Sequence, residues 1–226
     1  MNIAIIPARG GSKRIPRKNI KVFHNKPMIA YSIEAAKISG CFDKIIVSTD
    51  DAEIAEVAKQ YGAEVPFIRP ANISDDFATT LDVMQHAVNW CQQQQWSIDK
   101  VCCIYATAPF ILPEYIQKGL AELSVDSVQY AFSATTFPFP IQRAITLNKN
   151  GFIRMLSPEH INTRSQDLVE AYHDAGQFYW GRASAFMEKK AIFDKHSKMV
   201  IIPRKRVQDI DTYEDWELAE ALFSVL

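Results

Sequence analysis

Glycine and cysteine are scarce in this chain, and neither sign of charge prevails. Only eight of 226 residues are glycine, too few for a repetitive flexible linker. Neither G-x-x-x-x-G-K-[ST] nor G-x-G-x-x-G follows the first apolar run, which weighs against P-loop ATPases and dinucleotide oxidoreductases. Cys41, Cys91, Cys102 and Cys103 show no C-x-x-C spacing and read as buried, reduced thiols of a cytoplasmic protein. The formal net charge is −1, so long-range attraction to nucleic acid or to an acidic membrane is not expected. No apolar run approaches the roughly 20 residues of a membrane span. The opening residues lack the basic and long apolar regions of a secretion signal. His24, His86, His160 and His196 have no metal-ligand spacing, and no nucleophile, base and orienter stand together for covalent catalysis.

What is present is an alternation of short apolar runs with helical periodicity, the pattern of an α/β fold around a mostly parallel central sheet. Ile3 to Ile6 reads as a buried strand, and Pro27 to Gly40 brackets a helix with Ile29, Ile33 and Ala36 on one face. Further strands are expected at Lys44 to Ser48, Val65 to Ile68, Val101 to Tyr105 and Val128 to Ala134. Asp50 is expected to cap the second helix, which Gly62 ends. Another helix runs through Leu81, Met84, Val88 and Cys91, and Pro113 opens the next. "RAITLNKNGFIRML" then reads as two antiparallel strands turning around Asn148 to Gly151. "GQFYWG", "MVIIP" and "VQDI" are further strand-like runs, and Thr212 to Asp215 resembles a capping box before a last helix.

Three polar constellations stand out. Six of the 25 Lys and Arg residues lie between Arg9 and Lys21, in a loop that leaves the carboxyl end of the first strand, where open α/β sheets bind ligands. Gly10-Gly11 lets the backbone turn and present N–H groups, Ser12 adds a hydroxyl, and Arg9, Lys13 and Lys18 supply charge for a polyphosphate. The alternative is a solvated basic loop, to which Arg14, Arg17 and Lys21 belong as readily. Asp209 and Asp211, two apart in an extended run, share a face and suit Mg²⁺; the alternative is a helix-starting acid beside a surface acid. The third cluster gathers Arg164, His173, Asp174, Gln177 and Tyr179, a mixture suited to a hydroxylated, carboxylate-bearing ligand or to an interface.

"IIPARGGSKRIPRKNI", "IVSTDD", "IRPANISDD", "YATAP" and "DIDT" occur in an order that resembles the CMP-sialic acid synthetases. Those enzymes are cytidylyltransferases that activate nine-carbon 2-keto sugar acids. The resemblance spans nearly the whole chain, and "FPIQRA", "RSQDL" and "AYHDAGQFYWG" look most like the pseudaminic acid branch of the family. It implies a nucleotidyltransferase fold in a single domain over 1–226 and a homodimer whose arm is formed by about 137–171. It also implies transfer of CMP from CTP to the sugar acid with release of pyrophosphate. Carried over by position, Ala8, Arg9, Gly10, Gly11 and Asn19 hold the nucleotide, with Ser12, Lys13 and Lys18 near the phosphates. Arg69, Ala78 and Thr80 meet base and ribose, and Asp209 and Asp211 hold Mg²⁺. Tyr105 replaces a glutamine that contacts the sugar in sialic acid synthetases, and His173, Asp174 and Ala175 depart from the usual Arg and Asn. A sugar acid other than N-acetylneuraminate is therefore expected, with N-acetylneuraminate or legionaminate as alternatives and a non-catalytic nucleotide-binding protein as the more distant one. Arg164 is the expected partner of the sugar carboxylate, and no general base is named.

Overall fold

A computed structural model describes residues 1–226. The run Ile3 to Ile6 lies inside strand β1 (Asn2–Pro7), and its side chains alternate between the two faces of the sheet: Ile3 and Ile5 on one, Ala4 and Ile6 on the other. Two very short strands, β2 (Val22–Phe23) and β3 (Lys26–Pro27), then lead into helix α1 (Met28–Ser39), which Gly40 closes in the left-handed conformation. Strand β4 (Lys44–Ser48) and helix α2 (Ala52–Gln60) follow. Asp51, not Asp50, caps α2 by accepting from the Ile54 N–H at 3.0 Å. Asp50 instead faces the loop after β1, as described below.

The strand expected at Val65 to Ile68 is absent. A single bridge joins Ile46 to Glu64, after which Pro66 and Pro70 interrupt the chain. Helix α3 (Thr80–Gln93) starts in a reciprocal capping box between Thr79 and Asp82, and β5 (Lys100–Ile104), α4 (Pro113–Glu122) and β6 (Tyr130–Thr136) continue the alternation. Residues 137–171 leave the sheet and form the hairpin of β7 (Ile145–Leu147) and β8 (Ile153–Met155), with short 3₁₀ turns on either side. The Asn148 side chain accepts from the N–H groups of Asn150 and Phe152, which fixes the hairpin turn. Strand β9 (Tyr172–Arg182), helix α5 (Ala183–Met187), β10 (Ser197–Ile201) and α6 (Tyr213–Ser224) complete the chain. "VQDI" forms no strand.

Six strands lie in the order β10-β6-β9-β5-β1-β4. Only β9 runs against the others, pairing antiparallel with both β5 and β6. The adjacent Cys102 and Cys103 point to opposite faces and both are fully buried. Ile29, Ile33, Ile54 and Ile116 cover one face from α1, α2 and α4, while Met84, Val88 and Phe186 cover the other from α3 and α5. Each of these large apolar side chains contributes roughly 1.5–3 kcal/mol by leaving water. Gly119 lets α4 lie directly on β9, because a Cβ there would sit 2.6 Å from the Trp180 ring. No helix is long and apolar enough to cross a membrane.

Candidate active site

The carboxyl ends of β1 and β5 open into a cleft of about 310 Å³. Arg9, Ser12, Lys13, Arg14, Lys18 and Asn19 line it from the loop after β1; Arg69, Ala78 and Thr80 from the segment that enters α3; Tyr105 from the end of β5; and Asp211 from the approach to α6. Residues nearly two hundred positions apart in sequence thus share one wall. Within this lining five cations face Asp75, Asp76 and Asp211, which gives the cleft the excess positive charge that the whole chain lacks.

The loop is held in place by its own backbone and by α2. Ala8 is buried and its N–H donates to Ser48 O at 2.9 Å. The Gly10 N–H donates to Asp50 Oδ1 at 2.9 Å. A Cβ on Gly10 would lie 2.8 Å from Asp51 Oδ2, so no larger residue fits this close approach without a shift. Asn19 is buried and its amide donates to Arg9 O at 2.9 Å, fastening the two ends of the loop. Gly11 is open to solvent, with nothing near its missing side chain.

The six loop cations separate into two sets. Arg9 contacts Asp76 at 2.8 Å and donates to Asp75 O at 2.8 Å, and Lys13 contacts the same Asp76 carboxylate. The Lys13 hydrogen bond, followed by the field of Lys13 and Arg9, holds the Asp76 carboxyl below the usual range. Arg14 pairs with Asp211 at 2.8 Å, and Lys18 reaches Asp211 at 3.3 Å and Ile210 O at 2.5 Å. Arg17, in contrast, turns to Asp51 and Glu53, and Lys21 lies over the rings of Tyr213 and Trp216. These last two brace the loop against α2 and α6 and do not line the cleft. Arg14, which the sequence left with them, does.

Asp75 and Asp76 are not singled out by the sequence, and Asp50 is read there only as a helix cap, although "ISDD" and "STDD" contain them. Their signal is a surplus of cations in one loop of a neutral chain, which requires nearby carboxylates. Arg69 is only 4% exposed, and its neighbours are Ser74 Oγ, 3.1 Å from Nε, and Asp50, 3.7 Å from Nη2. Nη2 has no hydrogen-bond acceptor in the protein. Burial opposes its charge first, and the nearby Asp50 partly restores it. Arg69 thus forms a buried cation in the cleft wall whose nearest countercharge is Asp50.

Ile210 is buried between Asp209 and Asp211, so the two carboxylates project to the outside of the same short run. Asp215 accepts from the N–H groups of Asp211 and Thr212, closing the capping box of α6 and fixing the approach to it. Packing around Asp209, and then the Asp211 charge, push its carboxyl upward even though one side stays open to water. A carboxylate pushed upward beside a second one suits a cation shared with phosphate oxygens. Asp209 does not line the cleft itself.

The third constellation is spread more widely. Tyr105 Oη lies 3.0 Å from Thr80 Oγ1 at the cleft, and the Tyr105 and Tyr179 rings pack with centroids 5.3 Å apart. Tyr179 Oη donates to Asp174. Gln177 is buried and donates to Arg206 O at 2.5 Å. His173 packs against Phe137 beside the arm, lining a separate shallow pocket. Arg164 is on the arm, exposed and held by Asp167 at 2.7 Å, away from this chain's own cleft.

A family model described as cytidylyltransferase matches residues 3–222. A relative from Campylobacter jejuni named pseudaminic acid cytidylyltransferase is 49% identical over 99% of this chain and 97% of its own length. CMP-N,N'-diacetyllegionaminic acid synthase from Legionella pneumophila is 31% identical over 99% and 96%. The solved structure of CMP:2-keto-3-deoxy-manno-octonic acid synthetase complexed with CTP superposes with a TM-score of 0.72 at 17% identity, covering 99% of this chain and 98% of that one. That likeness concerns the fold, whereas the family match and the sequence relatives extend over the strand, loop and acidic run that build the cleft. The chain belongs to the cytidylyltransferase family.

Proposed function

We propose that this chain transfers CMP from CTP to the anomeric hydroxyl of a nine-carbon 2-keto sugar acid, pseudaminic acid, releasing pyrophosphate. The observation that carries the reading is the single cleft in which Arg9, Lys13, Arg14 and Lys18 converge from one side and Asp211 from the other. The triphosphate lies along the basic loop. The sugar hydroxyl oxygen attacks the α-phosphorus and releases its proton to solvent, the bond from that phosphorus to the bridging oxygen breaks, and pyrophosphate leaves with the electron pair. Arg9 and Lys13 stabilise the charge that grows on the leaving group. Before CTP arrives, Asp76 keeps both cations turned to the cleft mouth, and exposed ion pairs of this kind exchange at little cost.

Asp209 and Asp211 would hold Mg²⁺, which supplies charge neutralisation on phosphate oxygens and Lewis-acid polarisation. Lys18, hydrogen-bonded to Ile210 O, keeps the run between the two acids in position. The arm, with Ile145, Leu147, Phe152 and Ile153 exposed, is assigned to a homodimer, in which Arg164 meets the sugar carboxylate of the facing subunit's site. The sugar identity is supported by the Campylobacter jejuni relative. The test is pyrophosphate release from CTP with pseudaminic acid, legionaminate and N-acetylneuraminate side by side, with and without Mg²⁺. Release with pseudaminic acid that stops on chelation is expected. Preference for another acid removes the sugar assignment, and CTP binding without turnover on any acid removes the enzyme.

A further inference from the structure

Ile15 and Ile210 are each 1% exposed and belong to one apolar cluster with Phe23, Phe110 and Trp216. Their chain neighbours Arg14 and Asp211 are thereby fixed at the backbone, and only the side chains reach the cleft. Both oxygens of Asp211 are engaged there: Arg14 Nη2 lies 2.8 Å from Oδ2, and Lys18 Nζ 3.3 Å from Oδ1. The carboxylate assigned to Mg²⁺ is therefore already neutralised by cations of the loop.

The two cations are held differently. The Lys18 side chain is 17% exposed, and its ammonium also donates to Ile210 O at 2.5 Å, so it belongs to the wall. The Arg14 side chain is 65% exposed and has Asp211 as its one ion-pair partner. An exposed pair of this kind adds little stability and opens readily. Each member has a better partner in the loaded cleft. A guanidinium donates two parallel hydrogen bonds to a phosphate as well as to a carboxylate, and the triphosphate carries more charge than one aspartate. The carboxylate suits a hard divalent cation shared with phosphate oxygens. Neither exchange is balanced alone. A divalent cation without nucleotide would meet Arg14 and Lys18 at close range, and a triphosphate without metal would draw Arg14 away and face the bared charge of Asp211.

We propose that Arg14 is a nucleotide contact held in reserve on the metal site: it occupies Asp211 in the free protein and passes to a phosphate oxygen as the cation takes its place, so that Mg²⁺ and CTP load together. This role rests on the reading of the cleft as a site for both. Linkage is reciprocal, so each ligand tightens the other by one factor, and that factor shrinks when Arg14 is removed.

The test measures binding to the full-length protein, without sugar acid, in Arg14→Met and Lys21→Met. Methionine at 14 removes the guanidinium and keeps an aliphatic stem. Lys21 belongs to the same loop but lies over the Tyr213 and Trp216 rings, so its replacement removes an equal charge and leaves the Arg14 pair intact. Mn²⁺ is the metal probe, read by electron paramagnetic resonance with and without CTP, the Mn²⁺ held by CTP alone being subtracted. CTP binding in EDTA is read by calorimetry. Arg14→Met should bind Mn²⁺ about tenfold more tightly without nucleotide, bind metal-free CTP about tenfold more weakly, and gain less Mn²⁺ affinity when CTP is added. Lys21→Met should match the unaltered protein in all three. A thermal melt accompanies each variant, and Arg14→Gln stands in if Arg14→Met does not fold. Unchanged Mn²⁺ affinity or unchanged CTP affinity on loss of Arg14 overturns the exchange, and equal shifts in both variants overturn it in favour of net charge alone. If the unaltered protein binds CTP but takes up no Mn²⁺ with or without it, the metal reading falls; if it binds no CTP, the reading of the cleft falls; either takes the exchange with it.

Discussion

The loop after β1 and the arm of 137–171 are both exposed excursions from the same sheet, yet they are built in opposite ways. In the loop almost every side chain has a partner within the chain: Asn19 on Arg9 O, Arg17 on Asp51 and Glu53, Arg9 and Lys13 on Asp76. In the arm Leu147 is 73% exposed and Ile153 68%, and the one ion pair of Arg164 is to a residue three positions away. The first region is preorganised for a small, highly charged ligand, so its cost of ordering is met during folding. The second leaves apolar surface that folding of a single chain does not cover. If the cleft works by fixed charge and the arm, as proposed, by burial against a second copy, the two should fail differently when altered.

The largest effect is expected in the loop. Arg9→Ala should lower kcat by about 10²–10³, the loss typical of one donor that acts on developing charge, with the thermal midpoint little changed. Steady-state kinetics beside a melt curve separate the two. Full activity in this variant would take Arg9 out of the transition state and leave the loop as a scaffold for Asp76.

The arm should respond in a different measurement. Leu147→Ser with Ile153→Ser removes two exposed apolar side chains from the hairpin, and each large apolar group buried at an interface is worth roughly 1.5–3 kcal/mol. Sedimentation should show the dimer dissociating at least tenfold more readily, with CTP affinity retained and turnover of the sugar acid reduced. An unchanged sedimentation profile would show that the hairpin is not the contact. Reduced CTP affinity would instead tie the arm to the nucleotide cleft and erase the contrast between the two regions.

The sequence made the loop more legible than its surroundings for a physical reason. Apolar alternation and turn chemistry act over a few residues, so β1, α1, the Asn148 hairpin and the Thr212 capping box could be placed from local pattern alone. The expected strand at Val65 to Ile68 had the right composition, but a strand exists only where a neighbour offers a ladder, and there only Glu64 forms a bridge. The cap of α2 moved from Asp50 to Asp51 because two adjacent aspartates are equivalent in sequence and only the loop, through Gly10, claims one of them. The same long-range matching hid Asp76 and Arg14. Which carboxylate a cation finds depends on chain segments that sequence spacing does not bring together.

The smallest predicted effect concerns how firmly the cleft's far wall is anchored. Asp82 closes the capping box at the start of α3, just after Thr80, and accepts from Lys189, just beyond α5, at 2.5 Å. The Lys189 hydrogen bond first, and then those from Thr79, lower its carboxyl to about 2. A folded-state value below the ordinary carboxylate range stabilises the fold while the group is ionised, and that contribution fades as pH falls through the folded value. Asp82→Asn should therefore cost about 1 kcal/mol near neutrality, a drop of roughly 2–4 °C in the thermal midpoint for a chain of this size. The gap between the two proteins should stay constant above about pH 4 and close as pH falls toward about 2, since protonation makes the parent resemble the variant. A gap that persists at the lowest pH would mean that the carboxylate's charge contributes nothing and that asparagine fails through shape. Because Thr80 and Asp82 share the first turn of α3, the same variant should loosen CTP binding slightly while leaving the arm's association unaltered, which separates an anchor of the cleft from an anchor of the whole molecule.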